Sequence, residues 1–599
     1  MNSDSDLTGG ASPRNDAVVS SGFSGDLRNE DPSVRGNARY YQLYPTLTDA
    51  EIDRMRRFGT LRHCSAGDYL YRAGSVSPGM FVFLSGTVRV IGRDGLGRER
   101  VVRANMQRGE FSSDIGQLSG KPALVDACVI EDVEALVLPA EGLRALMVAE
   151  AELGERLTRA LILRRVAAIE RGDGPVLVGA SDNPRLVSLR NFLRRNGHPH
   201  VALDAQQDAE AIALIERLAP KLDDFPLVIC PNGALLRNPD ELQLASCLGL
   251  LPEFDPAHVY DLVIVGAGPA GLAAAVYAAS EGLSVAALDC RAPGGQAGTS
   301  SRIENYLGFP TGISGQALAG RAFHQAQKFG AHIGIPCEVK ALHCSRHPLS
   351  VELADNRSIM TRSVVIASGA EYRRPPFDGL ERFEGRGVYY WASPIEARLC
   401  RNEPVLLVGG GNSAGQAAVF LASHAAHVHL FIRAASLDQS MSRYLIERVT
   451  SLPNVTLHPR VEIIALEGSE RLEQVRYRCR IRDTEATIQS GHLFLFTGAD
   501  PNTDWLRSCG VSLDRKGFVL TGTDIDDGGI QSLPLQTSVD GVFAIGDARA
   551  GSVKRVAAAV GEGAAVVAQI HRFLSAEQSV STAAATGASL ASSSSCPGS

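Results

Sequence analysis

The sequence predicts a multidomain chain: an antiparallel β domain closed by a helix, then a small α/β domain, then two doubly wound α/β domains in the C-terminal half. Three observations carry this. Two glycine-rich turns, Gly266-Ala267-Gly268-Pro269-Ala270-Gly271 and Gly409-Gly410-Gly411-Asn412-Ser413-Ala414, each follow a run of branched apolar residues and each open a helical pattern. Residues 174–252 alternate apolar runs with amphipathic segments in the order β-α-β-α-β. From Pro45 to Arg165, short alternating strands are punctuated by glycine and followed by an apolar helix.

A length of 599 residues with 45% hydrophobic side chains suits roughly three to four domains, each with its own core. A net charge of -7 gives no reason to expect nucleic acid as a partner. No apolar run is long enough to span a bilayer, and Met1 to Asp6 is polar and acidic, so a cytoplasmic location is expected. Residues 1–38 and 576–599 are rich in small and polar types and are expected to be disordered. The eleven cysteines include no Cys-x-x-Cys pair and no metal-ligand spacing, so no metal is expected and most are read as small buried apolar residues.

In the β domain, 45–170, Asp68 to Gly74 and Met80 to Val90 read as successive strands with turns at Gly74 and Gly86. This segment resembles the cyclic-nucleotide-binding domain, which implies a β jelly roll with a C-terminal helix. Its binding cassette departs from the family: Ser113-Asp114 stands where a Gly-Glu pair would hold a ribose, and Pro122 to Ala127 has an acid, Asp126, but no arginine for a cyclic phosphate. Such a phosphate would lose its charge-assisted bonds there. A cyclic nucleotide or another effector at this domain therefore stays an open expectation, beside a purely dimerising or regulatory role.

In the α/β domain, 174–252, strands are expected at Pro175 to Gly179, His200 to Asp204 and Phe225 to Cys230, and helices at Arg185 to Asn196 and Asp208 to Leu218. The order resembles the thioredoxin/glutaredoxin fold, and Pro226 falls where that fold places a cis proline. Its redox motif position holds Ser181-Asp182-Asn183-Pro184, which has no thiol to exchange. A receiver-like domain fits less well, because no acidic cluster follows the first strand.

The first glycine turn lies between Asp261 to Val265 and an alanine-rich helix ending near Ser280, and the next strand ends at Asp289. Gly266, Gly268 and Gly271 permit a tight turn and close backbone approach to a pyrophosphate, and Pro269 and Ala270 open a helix whose N–H groups face anionic oxygens. Asp289 falls where an acid accepts from ribose hydroxyls. The second unit, with Gly409, Gly411, Asn412, Ser413 and Ala414, leads to a strand that ends in Arg433, and a guanidinium there suits a 2′-phosphate. FAD is assigned to the first site and NADPH, with NADH as the alternative, to the second. Arg443 supplies a second candidate cation.

From Val259 to Leu574 the chain resembles the low-molecular-weight thioredoxin reductase family. The motifs are the two turns, Pro293-Gly294-Gly295-Gln296 with Ile303-Glu304-Asn305-Tyr306, Val365 to Ala370 including Ala367-Ser368-Gly369, and Gly541 to Gly546-Asp547. The resemblance implies two Rossmann-like domains: an FAD domain split over 259–376 and 500–574, and an NAD(P)H domain, 377–499, inserted between. It also implies a homodimer, rotation of one domain against the other, Asp547 at the flavin ribityl or pyrophosphate, and Lys554-Arg555 along the isoalloxazine edge. The family's redox dithiol is missing: Trp391-Ala392-Ser393-Pro394 aligns over it, with Trp391 and Pro394 in the cysteine positions. No catalytic residue is assigned. Trp391 is read either as a flavin contact or as a structural anchor.

Three functions follow. The first is an NAD(P)H-dependent FAD oxidoreductase passing electrons to a quinone, oxygen, a ferredoxin- or flavodoxin-like carrier, or an outside disulfide. The second is a flavin- or nicotinamide-state sensor acting through its N-terminal domains. The third is a disulfide reductase using cysteines brought together in space, such as Cys230 with Cys400.

Overall fold

Alternate residues of the strand Met80–Arg93 face two different cores, because successive side chains of a strand point to opposite faces. Met80, Val82 and Leu84 pack with Leu143, Leu146, Leu157 and Leu161 of the helices Ala140–Ala149 and Ala151–Arg171. Phe81, Phe83, Val88 and Val90 face inward against Leu70, Tyr71 and Val102. The antiparallel sheet runs Thr60–Cys64, Val125–Leu138, Met80–Arg93, Glu99–Met106, with Tyr69–Tyr71 also on Val125–Leu138. This is the N-terminal β domain, seen in a computed structural model that describes residues 40–592 apart from 301, 377–378 and 526–532. The tail expected at 1–38 lies outside the described residues.

The next sheet has the order Val201–Asp204, Val176–Gly179, Leu227–Ile229, Leu235–Arg237, its first pair parallel and the others antiparallel. Its first helix, Pro184–Arg195, begins as its sequence requires: Asn183 Oδ1 accepts from Leu186 N at 3.1 Å, and Pro184 takes the first helical position. The Phe225–Pro226 bond is cis. Cys230, expected as an unbonded core residue, is instead joined in a disulfide to Cys247 at the end of the helix Glu241–Cys247. The two lie 17 residues apart, a spacing outside any local cysteine motif, and only the fold of strand onto helix brings their Cα atoms to 6.5 Å.

In the C-terminal half, a seven-stranded sheet has the order His332–Gly334, Val285–Leu288, Val259–Val265, Ser358–Ile366, Leu349–Leu353, Val339–His343, with Val542–Ala544 also on Ser358–Ile366. The central strand is covered on both faces, so it reads as a continuous apolar run. Leu262 and Ile264 enter one core and Val263 and Val265 the other. A second sheet, all parallel, runs Val388–Tyr389, Leu493–Leu495, Pro404–Val408, His427–Ile432, Val455–Pro459. Two connectors, Ala370–Tyr372 and Ala499–Pro501, pair antiparallel where the chain passes between the sheets.

The helix Val556–Ser592 overturns the expectation of disorder from 576 onward, at least as far as Ser592. Its alanine-rich composition was read as low complexity, yet alanine has the best intrinsic helix propensity. Residues 593–599 lie outside the described residues. Near its start, a Cβ on Gly563 would stand 2.5 Å from Ala270 O of the helix Pro269–Ser280, so the two helices touch backbone to backbone. No helix among the described residues is long and apolar enough to cross a membrane, and no cluster of metal-ligating side chains is present among them.

Both N-terminal domains touch the C-terminal half, and two buried imidazoles line a cavity at that junction. Burial pushes His198 down to about 3 and His324 down to about 4, and the charge of Arg165 adds to both. They are neutral in the folded chain, whereas an unfolded chain takes up protons near pH 6.5. Their contribution to stability is complete above that pH and falls as pH drops through the range below it. Two outcomes are expected. Thermal unfolding followed by circular dichroism gives a midpoint that declines between about pH 6.5 and pH 5, and His324→Leu makes the decline shallower. Gly563→Ala forces the two helices apart and lowers stability by about 1–3 kcal/mol in the same assay.

Candidate active site

Backbone meets backbone around the first glycine turn. The strand Val259–Val265 delivers Gly266 at φ +112°, where a Cβ would overlap Ala367 O, and a Cβ on Gly271 would overlap Gly266 O. Gly294 N donates to Ala267 O at 2.7 Å, which brings the Pro293–Gln296 loop over the helix start. Gln296 Nε2 donates to Ala370 O, tying that loop to the opposite wall.

These segments frame a cleft of about 640 Å³. Of the residues assigned to FAD, all but Gly271 and Gly294 line it, and these two lie directly behind the wall. The volume falls within the roughly 300–1,000 Å³ usual for cofactor sites.

The groups present fit a dinucleotide. Asp547 lines the cleft, and among the described residues no hydrogen bond to its carboxylate is formed; burial pushes it above the usual carboxylate range, while Lys554 pulls it back. An acid in that state accepts readily from hydroxyl groups. Asp289 is more occupied than expected: its oxygens accept from Ala267 N, Arg291 N and Ala292 N at 3.0 to 3.1 Å. It braces the turn and retains about one acceptor site for a ribose. Lys554 Nζ donates to Asp547 O and Ser552 Oγ, and burial lowers its pKa.

Of the residues assigned to NADPH, only Asn412 and Ser413 reach this cleft. Gly409 repeats the close approach, since a Cβ there would be 2.6 Å from Phe496 O, and Ala414 is buried in the helix Asn412–Ala422. The chain at 440–442 folds over the turn: Ser440 Oγ donates to Gly410 O at 2.8 Å and Asn412 Oδ1 accepts from Ser442 N at 2.7 Å. Ile432 Cγ2 lies 3.7 Å from a Cβ built on Gly410 in the turn to which Gly411 also belongs; Arg433, the next residue, is exposed and its charge acts on Glu462. Arg443 is ion-paired with Glu447 at 2.9 Å and 81% exposed, which ties the second expected cation to an acid.

Trp391 is both anchor and wall. Its Nε1 donates to Glu396 Oε1 at 3.0 Å, its ring lies 5.8 Å from the Arg291 guanidinium, and it lines the cleft. Ser393 caps the helix Pro394–Leu399 in a capping box with Glu396, so the segment aligned over the redox dithiol is a closed helix start with Pro394 at its first position. Cys400 is fully buried, and burial pushes its thiol up to about 12. With Cys230 bonded to Cys247, the expected approach of Cys230 to Cys400 is not made.

The helix Pro184–Arg195 of the small α/β domain lines the same cleft and was missed as part of the site. Asn191 Nδ2 donates to Glu396 Oε1 at 3.0 Å, beside Trp391, and Arg195 Nη2 donates to Gly295 O at 2.9 Å. Arg291 holds Glu241 with two bonds of 3.1 and 2.7 Å. The available signal was the arginine run Arg190, Arg194, Arg195 on a helix otherwise read as belonging to a separate domain.

Two substitutions test this geometry. Gly271→Val is expected to yield folded chain without visible flavin absorbance, because its side chain displaces the turn at Gly266. Glu396→Gln sets an NH2 group either against Trp391 Nε1 and Asn191 Nδ2 or against Ser393 N, so buried donors lose their acceptor, and it should lower stability by on the order of 1–3 kcal/mol in thermal unfolding.

Comparison with known proteins agrees with this geometry. Residues 260–563 match the pyridine nucleotide-disulphide oxidoreductase model, and residues 61–150 the cyclic nucleotide-binding domain model. Thioredoxin reductase of Mycoplasma genitalium is 30% identical over 52% of this chain and 95% of its own. NADPH-dependent thioredoxin reductase 3 of Arabidopsis thaliana is 32% identical over 53% of this chain and 58% of its own. The crystal structure of Lactococcus lactis thioredoxin reductase aligns at 26% identity and a TM-score of 0.48, over 52% of this chain and 98% of that one. With its two glycine turns and shared cleft, the chain belongs to the pyridine nucleotide-disulphide oxidoreductase family as a thioredoxin reductase-like, FAD-dependent NAD(P)H oxidoreductase that carries an N-terminal cyclic nucleotide-binding domain.

Proposed function

We propose that this oxidoreductase takes hydride from NADPH and delivers electrons to an acceptor other than an internal dithiol. The observation that carries the reading is the capped Trp391-to-Pro394 helix start in place of a cysteine pair, with Cys400 buried and held as a thiol. Bound FAD supplies the hydride-accepting ring, and the chain supplies position and electrostatics. In this reading Asp547 and Asp289 accept from hydroxyl groups of FAD, the helix starting at Pro269 faces its pyrophosphate, and Lys554 and Arg555 provide positive charge beside it. The exposed Arg433, directly after the strand that follows the second turn, supports preference for a 2′-phosphate, with NADH the weaker alternative. The acceptor classes are quinones, oxygen, or a small redox carrier protein.

The N-terminal half supports a second reading, that of a sensor whose cofactor state is passed to partners. We assign 45–170 a jelly-roll fold and 174–252 a degenerate thioredoxin/glutaredoxin-like fold, the latter supported by its strand order and the cis Pro226. The cavity inside the β domain holds about 70 Å³, well under the roughly 300 Å³ at which organic ligand sites begin. Of its charged side chains all but Lys121 are engaged with the protein: Arg164 donates to Leu43 O, Phe111 O and Ser113 O, Asp114 accepts from Gly116 N and Arg165, Arg103 is paired with Glu110, and Arg171 with Asp173. This favours regulation through docking over tight cyclic-nucleotide binding. A homodimer in the cytoplasm completes the proposal.

An anaerobic titration of the flavin-loaded chain with NADPH separates these readings. Reduction is expected to stop at two electrons per flavin, and steady NADPH oxidation to follow on adding a quinone; uptake of four electrons overturns the dithiol-free scheme, and absence of turnover with any acceptor favours the sensor. Arg433→Glu is expected to raise the KM for NADPH at least severalfold and leave that for NADH nearly unchanged, as measured in steady-state assays.

A further inference from the structure

A cavity of about 140 Å³ lies where the three parts of the chain meet, beside the Ile115–Ser119 turn, and shares Arg195 with the lining of the flavin cleft. The β domain contributes Lys121 and Arg165, the small α/β domain Arg195 and His198, and the helix Gly315–Lys328 contributes His324 and Gln327. No carboxylate lines it.

The charge is therefore one-sided. The nearest acid, Asp114, stands behind the wall and is taken up by Arg165 Nη2 at 3.0 Å. Lys121 has no carboxylate within ion-pair distance among the described residues; its ammonium rests 5.3 Å from the Phe323 ring. Burial and the charge of Arg165 pull Lys121 down to about 8, a fall that the more distant Asp114 offsets only in part.

Buried donors are also left over. Gln327 is only 2% exposed, its Oε1 lies 3.2 Å from His324 Nδ1, and its Nε2 is buried with no partner. Arg195 keeps a buried Nε without a partner while its Nη2 holds Gly295 O. Native interiors rarely leave donors unmatched, and here two residues that carry them line one cavity with room for several waters or one tetrahedral oxyanion.

We propose that this junction is a binding site for a small doubly charged oxyanion, phosphate or the phosphoryl group of a small phosphomonoester, held by Lys121, Arg165 and Gln327. Such a ligand is gripped from the β domain and from the flavoprotein half at once, so it fastens the docking of one on the other. Arg195 places the site one hydrogen bond from the Pro293–Gln296 loop of the flavin cleft.

Calorimetric titration of the full-length, flavin-loaded chain tests this, with inorganic phosphate and glycerol phosphate as probes and chloride as the ionic-strength control. Saturable binding of phosphate is expected with a Kd below about 1 mM. Lys121→Gln should weaken it at least tenfold, and Gln327→Met, which lies outside the β domain, severalfold, with both variants retaining bound flavin. Tighter binding of glycerol phosphate identifies a phosphomonoester as the ligand class, and equal or weaker binding identifies free phosphate. Absence of saturable heat with both probes, or wild-type affinity in both variants, overturns the proposal. A variant that fails to fold is replaced by Ser119→Asp, which sets a negative charge in the cavity wall and is expected to abolish binding.

Discussion

Close approach of peptide backbone at the glycine turn governs the cofactor cleft. Where Gly266 faces Ala367 and Gly271 faces Gly266, there is no room for a Cβ, so strand, turn, helix start and the 367–369 loop settle into one arrangement. The helix N-terminus then points its unpaired N–H groups into the cleft. The side chains that add specificity, Asp289 and Asp547 among them, hang from this frame and do not create it. The same frame extends outward through Gly563, where the long C-terminal helix presses on the helix that starts at Pro269.

The small α/β domain is fastened to that frame by charge and hydrogen bonds. Arg291 with Glu241, Asn191 with Glu396 and Arg195 with Gly295 all lie within or beside the cleft. Partly buried ion pairs of this kind specify a docking geometry more than they add stability. The cyclic nucleotide-binding domain touches the flavoprotein half at the opposite end of the same seam, around Lys121 and Phe323.

Elements whose signal is local were legible in the sequence. The helix after the first turn is expected to end near Ser280 and ends there; the strand expected to end in Arg433 spans His427–Ile432, one residue short; the helix expected over 208–218 spans Ala209–Leu218. Each is fixed by apolar period and a flanking turn residue. What depended on long-range placement was not legible. The Cys230–Cys247 bond, the helix through Ser592 and the contribution of Asn191 and Arg195 to the cleft each require knowing which segments meet. Arg443 was assigned by proximity in sequence to a phosphate site, whereas an acid one helical turn away, Glu447, captures it. Asp289 was placed correctly at its strand end, but its use as a brace for backbone amides left no trace in the residue pattern.

The helix Pro184–Arg195 grips the flavin half through Arg195 and the nicotinamide half through Asn191, and so straddles the only two connectors between them among the described residues. A swing of one half about those connectors has to let go of one end of this strut. The small domain thereby works as a clasp: while both hydrogen bonds hold, the two halves keep the one relative orientation described above.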